Sequence, residues 1–323
     1  MGNPVTFTVP AGFHRTDEIL QLDRRIKAIG KDVQIHAYDT VQGLSWNGGR
    51  LMFNRDFIKD EKSPWRADLT ITDLDVALER ARRLNDAGVP VNLVFNNTLE
   101  SLDVEDEAGN YLLHHLHNGM NGVTIASESL RQHVAANYPK YATTASICFV
   151  YTKPEQYQRA CQKYDKVVVM PTLAYTPELL EGLPMDKLVF IVNDNCYLFC
   201  LRKDHYDYIS RCSLSGNNTV QEQERNAPRG GCFLKDPKYR EHVAKTNDPK
   251  WVAGIEKVRK EQLSGEGLGI KDMEHNFTIT PAARRELIRM GVTCFKLQGR
   301  DYVDASFQAK VADFLEKIVR EEL

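Results

Sequence analysis

The chain has 323 residues, 42% of them hydrophobic, and a formal net charge of −2. That length suits one barrel or two small domains, the apolar content argues against disorder, and the near-neutral balance removes any global attraction to nucleic acid. No run reaches the roughly 18–20 apolar residues of a membrane span, and the opening MGNPVTFTVPAGFHR lacks the basic start and apolar stretch of a signal peptide, so a cytoplasmic protein with no membrane contact is expected.

In chain order, the first strong strand is VQIHAYD (33–39). A long connection, 40–68, follows and contains WNGGR, Trp46 to Arg50. In TDLDVALERARRLNDAGVPVNLVFNN, Thr72 reads as an N-cap with Asp75 three residues on, Leu74, Leu78, Ala81 and Leu84 form one apolar face, and Gly88 ends the helix. The strand Val91 to Phe95 comes next and stops at Asn96-Asn97. YLLHHLHNG reads as a helix ending before Gly119, which puts His114 and His117 near its C-terminus, where imidazole is favourable, rather than in a metal site.

Further strands are GVTIAS (122–127), TASICFVY (144–151), KVVVMP (166–171) and LVFIVND (188–194). Helices Ser129 to Tyr138, Pro154 to Tyr164 and Pro177 to Glu181 lie between them. Residues 195–275 break the rhythm, with one helix near Trp251 to Gln262. The grammar then returns: Thr280 caps, Pro281 takes the first helical position, Gly291 stops the helix and Val292 to Leu297 is a strand.

Near-continuous apolar strands alternating with helices mean a parallel sheet covered by helices. Seven or eight such strands in this length predict a single α/β domain over 1–323, a (β/α)8 barrel with allowance for distortion, carrying a long cysteine-bearing insertion (195–275) after about the sixth strand. An open doubly wound sheet is the second choice. Neither a G-x-G-x-x-G after a strand nor a Walker P-loop is present, which removes the usual nucleotide folds.

Both long connections follow the C-terminal end of a strand, the active face of a parallel barrel. Arg50 follows Gly48-Gly49, where the backbone can approach a ligand and a guanidinium can grip a carboxylate. Lys296 and Arg300 flank the end of the last strand, and the three together suit a dicarboxylate; for Arg300 a barrel-closing salt bridge weighs equally. Asp39, Asn96, Asn97 and Asn193 also end strands, although Asn and Asp favour such positions anyway. Arg225 to Arg240 is moderately basic and holds Phe233 and Tyr239, so it suits contact with RNA or a solvated loop.

Four of the seven cysteines gather in the insertion: Cys196 and Cys200, four apart, then Cys212 and Cys232. In a reducing compartment such a group is a metal site before it is a disulfide framework. The first pair has zinc spacing and the second is stretched, so an iron–sulfur cluster, zinc and no metal all stay open on spacing alone. A radical-SAM loop would need a third cysteine where Lys203 stands. His205, close by, can orient a thiolate, relay a proton or bind substrate. Cys148, Cys161 and Cys294 sit in apolar patterns and read as small buried hydrophobes.

The end of the chain, ITPAARRELIRMGVTCFKLQGRDYVDASFQAKVADFLEKIV, resembles the signature region of the collagenase-like peptidase family U32, in which a helix, a Gly turn and a strand lead into K-I-E-G-R, a Tyr and a final helix. Lys296-Leu297-Gln298-Gly299-Arg300 and Tyr302 follow that order, with Gln298 in place of the family's Glu. Pro10-Ala11-Gly12 is similar to the family's opening strand end, and VNDNCYLFCLRKDHY to the cysteine region of its iron–sulfur members.

The resemblance implies an oxygen-independent hydroxylase with a 4Fe–4S cluster on Cys196, Cys200, Cys212 and Cys232. Its substrate would be a ring, an RNA or nucleotide base or a quinone precursor, and its oxygen donor would be prephenate or similar. His205, Arg50, Lys296, Arg300 and Asp39 would then be the catalytic and binding groups. Because the chain ends one helix after the Lys-Leu-Gln-Gly-Arg strand, it looks like the bare catalytic barrel, nearer the ubiquinone-pathway pair, in which a related barrel subunit is the partner. The alternatives are a peptidase, for which no H-E-x-x-H or G-x-S-x-G is found, and a non-catalytic iron–sulfur or zinc partner subunit.

Overall fold

The structure, a computed structural model, describes residues 4–41, 44–46, 73–98, 104–194, 245, 249–250, 252–253, 277–299 and 304–323. Strands β1 (Val5–Pro10), β2 (Val33–Asp39), β3 (Val91–Phe95) and β4 (Gly122–Ile125) pair in parallel, each with the next. The run continues through β5 (Ala142–Ala145), β6 (Lys166–Val169) and β7 (Leu188–Asp194). A two-residue strand β8 (Phe277–Thr278) runs antiparallel to β7, and β9 (Cys294–Leu297) pairs in parallel with β7 on one side and β1 on the other. The parallel ring is therefore closed, as in a (β/α)8 barrel, and the open doubly wound sheet is excluded.

The helices form where the sequence supplies a stripe and a stop. Helix α1 (Thr16–Ile29) buries Ile19, Leu22 and Ile26 and ends at Gly30, whose φ of 77° is left-handed. Helix α2 (Leu74–Asp86) buries Ala77, Leu78, Ala81 and Leu84. Its cap is Asp73, not Thr72: the Asp73 carboxylate accepts from the Asp75 and Val76 N–H groups. Helices α3 (Glu107–His115), α4 (Glu128–Asn137) and α5 (Pro154–Lys163) follow β3, β4 and β5. Helix α6 (Pro281–Arg289) begins on Thr280 as expected, and Gly291 beyond it has a φ of 102°.

Three expectations are corrected. The strand expected over 144–151 is β5 alone; Ser146 then caps a tight turn, Ile147–Phe149, by accepting the Cys148 N–H, and Val150 turns left-handed at φ 50°. The helix expected over 177–181 is a series of short 3-10 turns, Pro171–Tyr175, Pro177–Leu179 and Met185–Lys187, because Gly182 turns left-handed at φ 76° and Pro184 follows where a longer helix would need a backbone donor. The cysteine-bearing insertion follows the seventh strand, since Val5–Pro10 already opens the barrel.

Most of the core lies between strands and helices. Phe7, Val9, Ile35, Ala37, Leu93, Phe95, Phe190 and Phe295 are 0–3% exposed on the helix side of their strands. Phe7 and Phe295 stack at 5.5 Å across β1 and β9. The chain end closes this layer: helix α7 (Asp304–Phe307) runs through a wide π turn, Gln308–Ala312, into α8 (Asp313–Glu322). There Arg284 of α6 is buried against Glu322, with Nε donating to the carboxylate at 2.8 Å, and also donates to the Ile279 carbonyl.

Candidate functional site

The C-terminal rim is held by strand-end polar groups. Asp39 is buried on the helix side of β2, and its carboxylate accepts the N–H of Phe13 at 3.0 Å and of Thr40 at 2.9 Å. It therefore fixes the β1–α1 turn, in which Ala11 takes a left-handed φ of 65°. Asn97 donates from its side chain to the Ser45 carbonyl and from its backbone to that of Trp46. Asn193 accepts the Gln298 N–H at 2.7 Å and donates to the carbonyls of Gln298 and Lys310. Asn96 differs: its buried Oδ1 has no hydrogen-bond partner among the described residues. Buried Arg15 joins the first and last loops of the rim by pairing with Glu18 at 3.1 Å and Asp304 at 2.9 Å over the Phe307 ring.

Inside the barrel the side chains stack in levels. Strands are tilted, so each level takes one residue from every second strand. The registers place His36, Gly122, Lys166 and Cys294 on a low level. Above them come Thr8, Asn92, Thr144 and Val189, and then Tyr38, Thr124, Val168 and Lys296. Pro10, Val94, Ser146 and Ile191 close the top.

Contacts agree with this order. The Lys296 ammonium lies 4.0 Å from the centre of the Tyr38 ring, a cation–π arrangement. The Tyr38 hydroxyl donates to the Leu297 carbonyl at 2.9 Å, and Thr124 donates to Asn92 at 2.7 Å. Burial, and then the charge of Lys166, hold the His36 imidazole down to about 4, so it is neutral near pH 7. Val168, Val189, Ile191 and Cys294 form an apolar wall separate from the main core.

Lys296 is thus inside the lumen, one level below the top, whereas Asp39 faces away from it. Arg50, His205, Arg300, the Arg225–Arg240 stretch and the four cysteines Cys196, Cys200, Cys212 and Cys232 lie outside the described residues. What the structure fixes is where the segment with His205 and the four cysteines is tied. Asn193 and Asp194 of β7 pair with Thr278 and Phe277 of β8, so residues 195–276 leave and rejoin the barrel at neighbouring points of the C-terminal rim.

The histidines near Gly119 do not converge. His117 accepts the Lys140 N–H at 2.8 Å and stacks on Tyr141, whereas His114 lies beside His115. No group of three metal-binding side chains occurs among the described residues. Cys148, Cys161 and Cys294 are buried free thiols, and burial raises the pKa of Cys161. No helix among the described residues is long and apolar enough to cross a membrane.

The reading of strands as near-continuous apolar runs missed the lumen groups Thr8, His36, Tyr38 and Asn92. Their signal was the alternation in TFTVP and VQIHAYD, which sends every second, polar residue inward.

No protein-family model matches the chain, and no curated protein matches it. Among solved structures it is similar to a U32 peptidase, at 14% identity and a TM-score of 0.46, over 67% of this chain and 79% of that one. A lysine-bound DHDPS from Cyanidioschyzon merolae gives 10% identity and 0.36, over 98% of this chain and 87% of that one. A tryptophan synthase from M. tuberculosis in an open form gives 10% and 0.34, over 79% of this chain and 93% of that one.

Proposed function

We propose that the chain is a barrel enzyme with an iron–sulfur centre at its C-terminal rim, hydroxylating a ring substrate (an RNA or nucleotide base, or a quinone precursor) with oxygen from a prephenate-like donor. The observation that carries this reading is the β7–β8 pairing. It ties both ends of the segment holding Cys196, Cys200, Cys212 and Cys232 to the face where barrel enzymes keep their chemistry.

The donor set fits: four thiolates in one segment satisfy a 4Fe–4S cluster without any other ligand. When bound, such a cluster supplies one-electron transfer. The chain's own groups would do the rest. Arg50, Lys296 and Arg300 would bind carboxylate and His205 would hold or move a proton, while Asp39 fixes the β1–α1 turn. The test is anaerobic purification with iron, sulfide and zinc measured per chain. About four irons and four sulfides, lost in Cys200→Ala, are expected. One zinc without sulfide would make the segment a structural clip and remove the redox reading.

A further inference from the structure

We propose that Asn118–Gly119, in the turn between α3 and β4, is a self-modifying site: the folded chain loses ammonia there through a cyclic imide, and the carboxylate left behind unfastens an asparagine cluster at the N-terminal end of the barrel. The site lies at the opposite end from the rim, so it is independent of what the cysteine segment binds.

The ground is the contrast between two identical dipeptides in one turn, Asn118–Gly119 and Asn121–Gly122. Ring closure brings the backbone nitrogen of the following residue onto the asparagine Cγ, and a glycine, with no Cβ, leaves that approach unhindered. Asn118, Gly119 and Met120 are all exposed, and Gly119 has a φ of 81° with nothing within 4 Å of where a Cβ would lie. The Asn118 side-chain oxygen accepts the N–H of Met120 at 3.0 Å and of Asn121 at 3.3 Å. Those bonds fold the side chain over the Gly119 peptide, as in an Asx turn. They also aim two donors at the oxygen that turns negative when the Gly119 nitrogen adds to Cγ, the arrangement of an oxyanion hole.

Asn121 is locked instead. It is 1% exposed, and its Oδ1 accepts from Asn85 at 2.9 Å and from the Val91 N–H at 2.8 Å. Its Nδ2 donates to Asn85 at 2.9 Å and to the Leu116 carbonyl at 3.1 Å. Gly122 begins β4 between Asn92 and Ala142, and a Cβ there would stand 3.0 Å from the Ala142 carbonyl oxygen, so the imide forms only if the strand end opens.

The step needs no oxidant or reductant. The Gly119 nitrogen bonds to Cγ, its proton passes through water to Nδ2, the Cγ–Nδ2 bond breaks and ammonia leaves. Water then opens the imide at Cγ, giving aspartate, or at the main-chain carbonyl, giving isoaspartate with an extra methylene in the turn. Before the reaction Asn118 Nδ2 donates to Asn85 Oδ1 at 2.7 Å. Afterwards a carboxylate oxygen, which only accepts, faces another acceptor. Asn85 cannot answer by turning its amide over, because its Nδ2 already donates to the Val89 carbonyl and to Asn121 Oδ1. The N-terminal end of a barrel serves stability, so the change loosens the joint of α2, α3 and β4.

The test incubates the full chain at neutral pH and physiological temperature, folded and in urea, and maps aspartate and isoaspartate at 118 and 121 by peptide mass spectrometry. In the folded chain Asn118 should convert at least about tenfold faster than Asn121, whose reaction waits for local opening, and in urea the two rates should converge. On incubation the melting midpoint of the parent should fall towards that of Asn118→Asp. That of Asn118→Ser, whose hydroxyl can keep the turn bond but cannot cyclise, should not. A folded chain in which Asn118 stays intact, or converts no faster than Asn121, would overturn the proposal, and so would an Asn118→Asp protein as stable as the parent. If neither variant folds, the mapping of the parent chain decides.

Discussion

Gly109 is the third residue of α3 and lies under the fully buried indole of Trp46. A Cβ at Gly109 would stand 2.8 Å from Cδ2 of that ring and closer still to Cε3 and Cζ3. Ordinary carbon contacts are about 3.5–4 Å, so the indole must shift by about 1 Å. It has little room to do so, with Phe95 edge-on at 5.2 Å and His133 at 6.0 Å. Overpacking costs about 1–3 kcal/mol, and a clash with three ring atoms belongs in the upper half of that range, about 2–3 kcal/mol, against which alanine returns ~1 kcal/mol of helix propensity. Gly109→Ala should therefore lose about 1–2 kcal/mol in a urea titration followed by circular dichroism. Trp46→Ala alone should lose about 3–5 kcal/mol. In that background Gly109→Ala should become neutral or mildly stabilising, because the ring it strikes is gone. A Gly109→Ala protein as stable as the parent, or the same loss in both backgrounds, would refute the packing argument.

Two further outcomes follow from buried charge. His36 is held to about 4 in the fold, below the ~6.5 of an exposed imidazole. On acidification the unfolded chain takes the proton first, so stability is whole above about pH 6.5 and drains away between about 6.5 and 4. The loss is at most ~3 kcal/mol and about half that after screening at a partly exposed group; unfolding free energies measured against pH should show the slope, and His36→Gln should flatten it. The Arg284–Glu322 pair is 4% and 3% exposed, so Glu322→Gln, which strands a buried guanidinium, should cost about 3–5 kcal/mol. The double change Arg284→Met with Glu322→Leu should recover much of that, and a double variant no better than the single would contradict the assignment.

The outer layer of the barrel was readable because its physics is local. Leu74, Leu78, Ala81 and Leu84 repeat at helical spacing, Gly88 and Gly291 stand where the chain turns left-handed, and VNLVF and LVFIVND are strands to the residue. Errors came where neighbours compete. Thr72 and Asp73 both cap well, and only the fold chooses between them. TASICFVY has strand composition, but Ser146 diverts the chain by bonding to Cys148. Asp39 ends a strand as a catalytic carboxylate would, yet Phe13, distant in sequence, claims it. The lumen was the largest gap, since Lys296 and Tyr38 meet only after the strands close, a pairing that no spacing along the chain encodes.

The β7–β8 tie has a consequence for how such a chain can change. The chain leaves the barrel after Asp194 and returns at Phe277, and these two ends pair as antiparallel strands. Antiparallel partners sit only about 5 Å apart, and each doubling of loop length costs only about 0.6 kcal/mol in closure entropy. Changes in the length of the connection between those ends therefore cost the tie little. The closed ring and the cysteine-bearing connection can diverge at different rates.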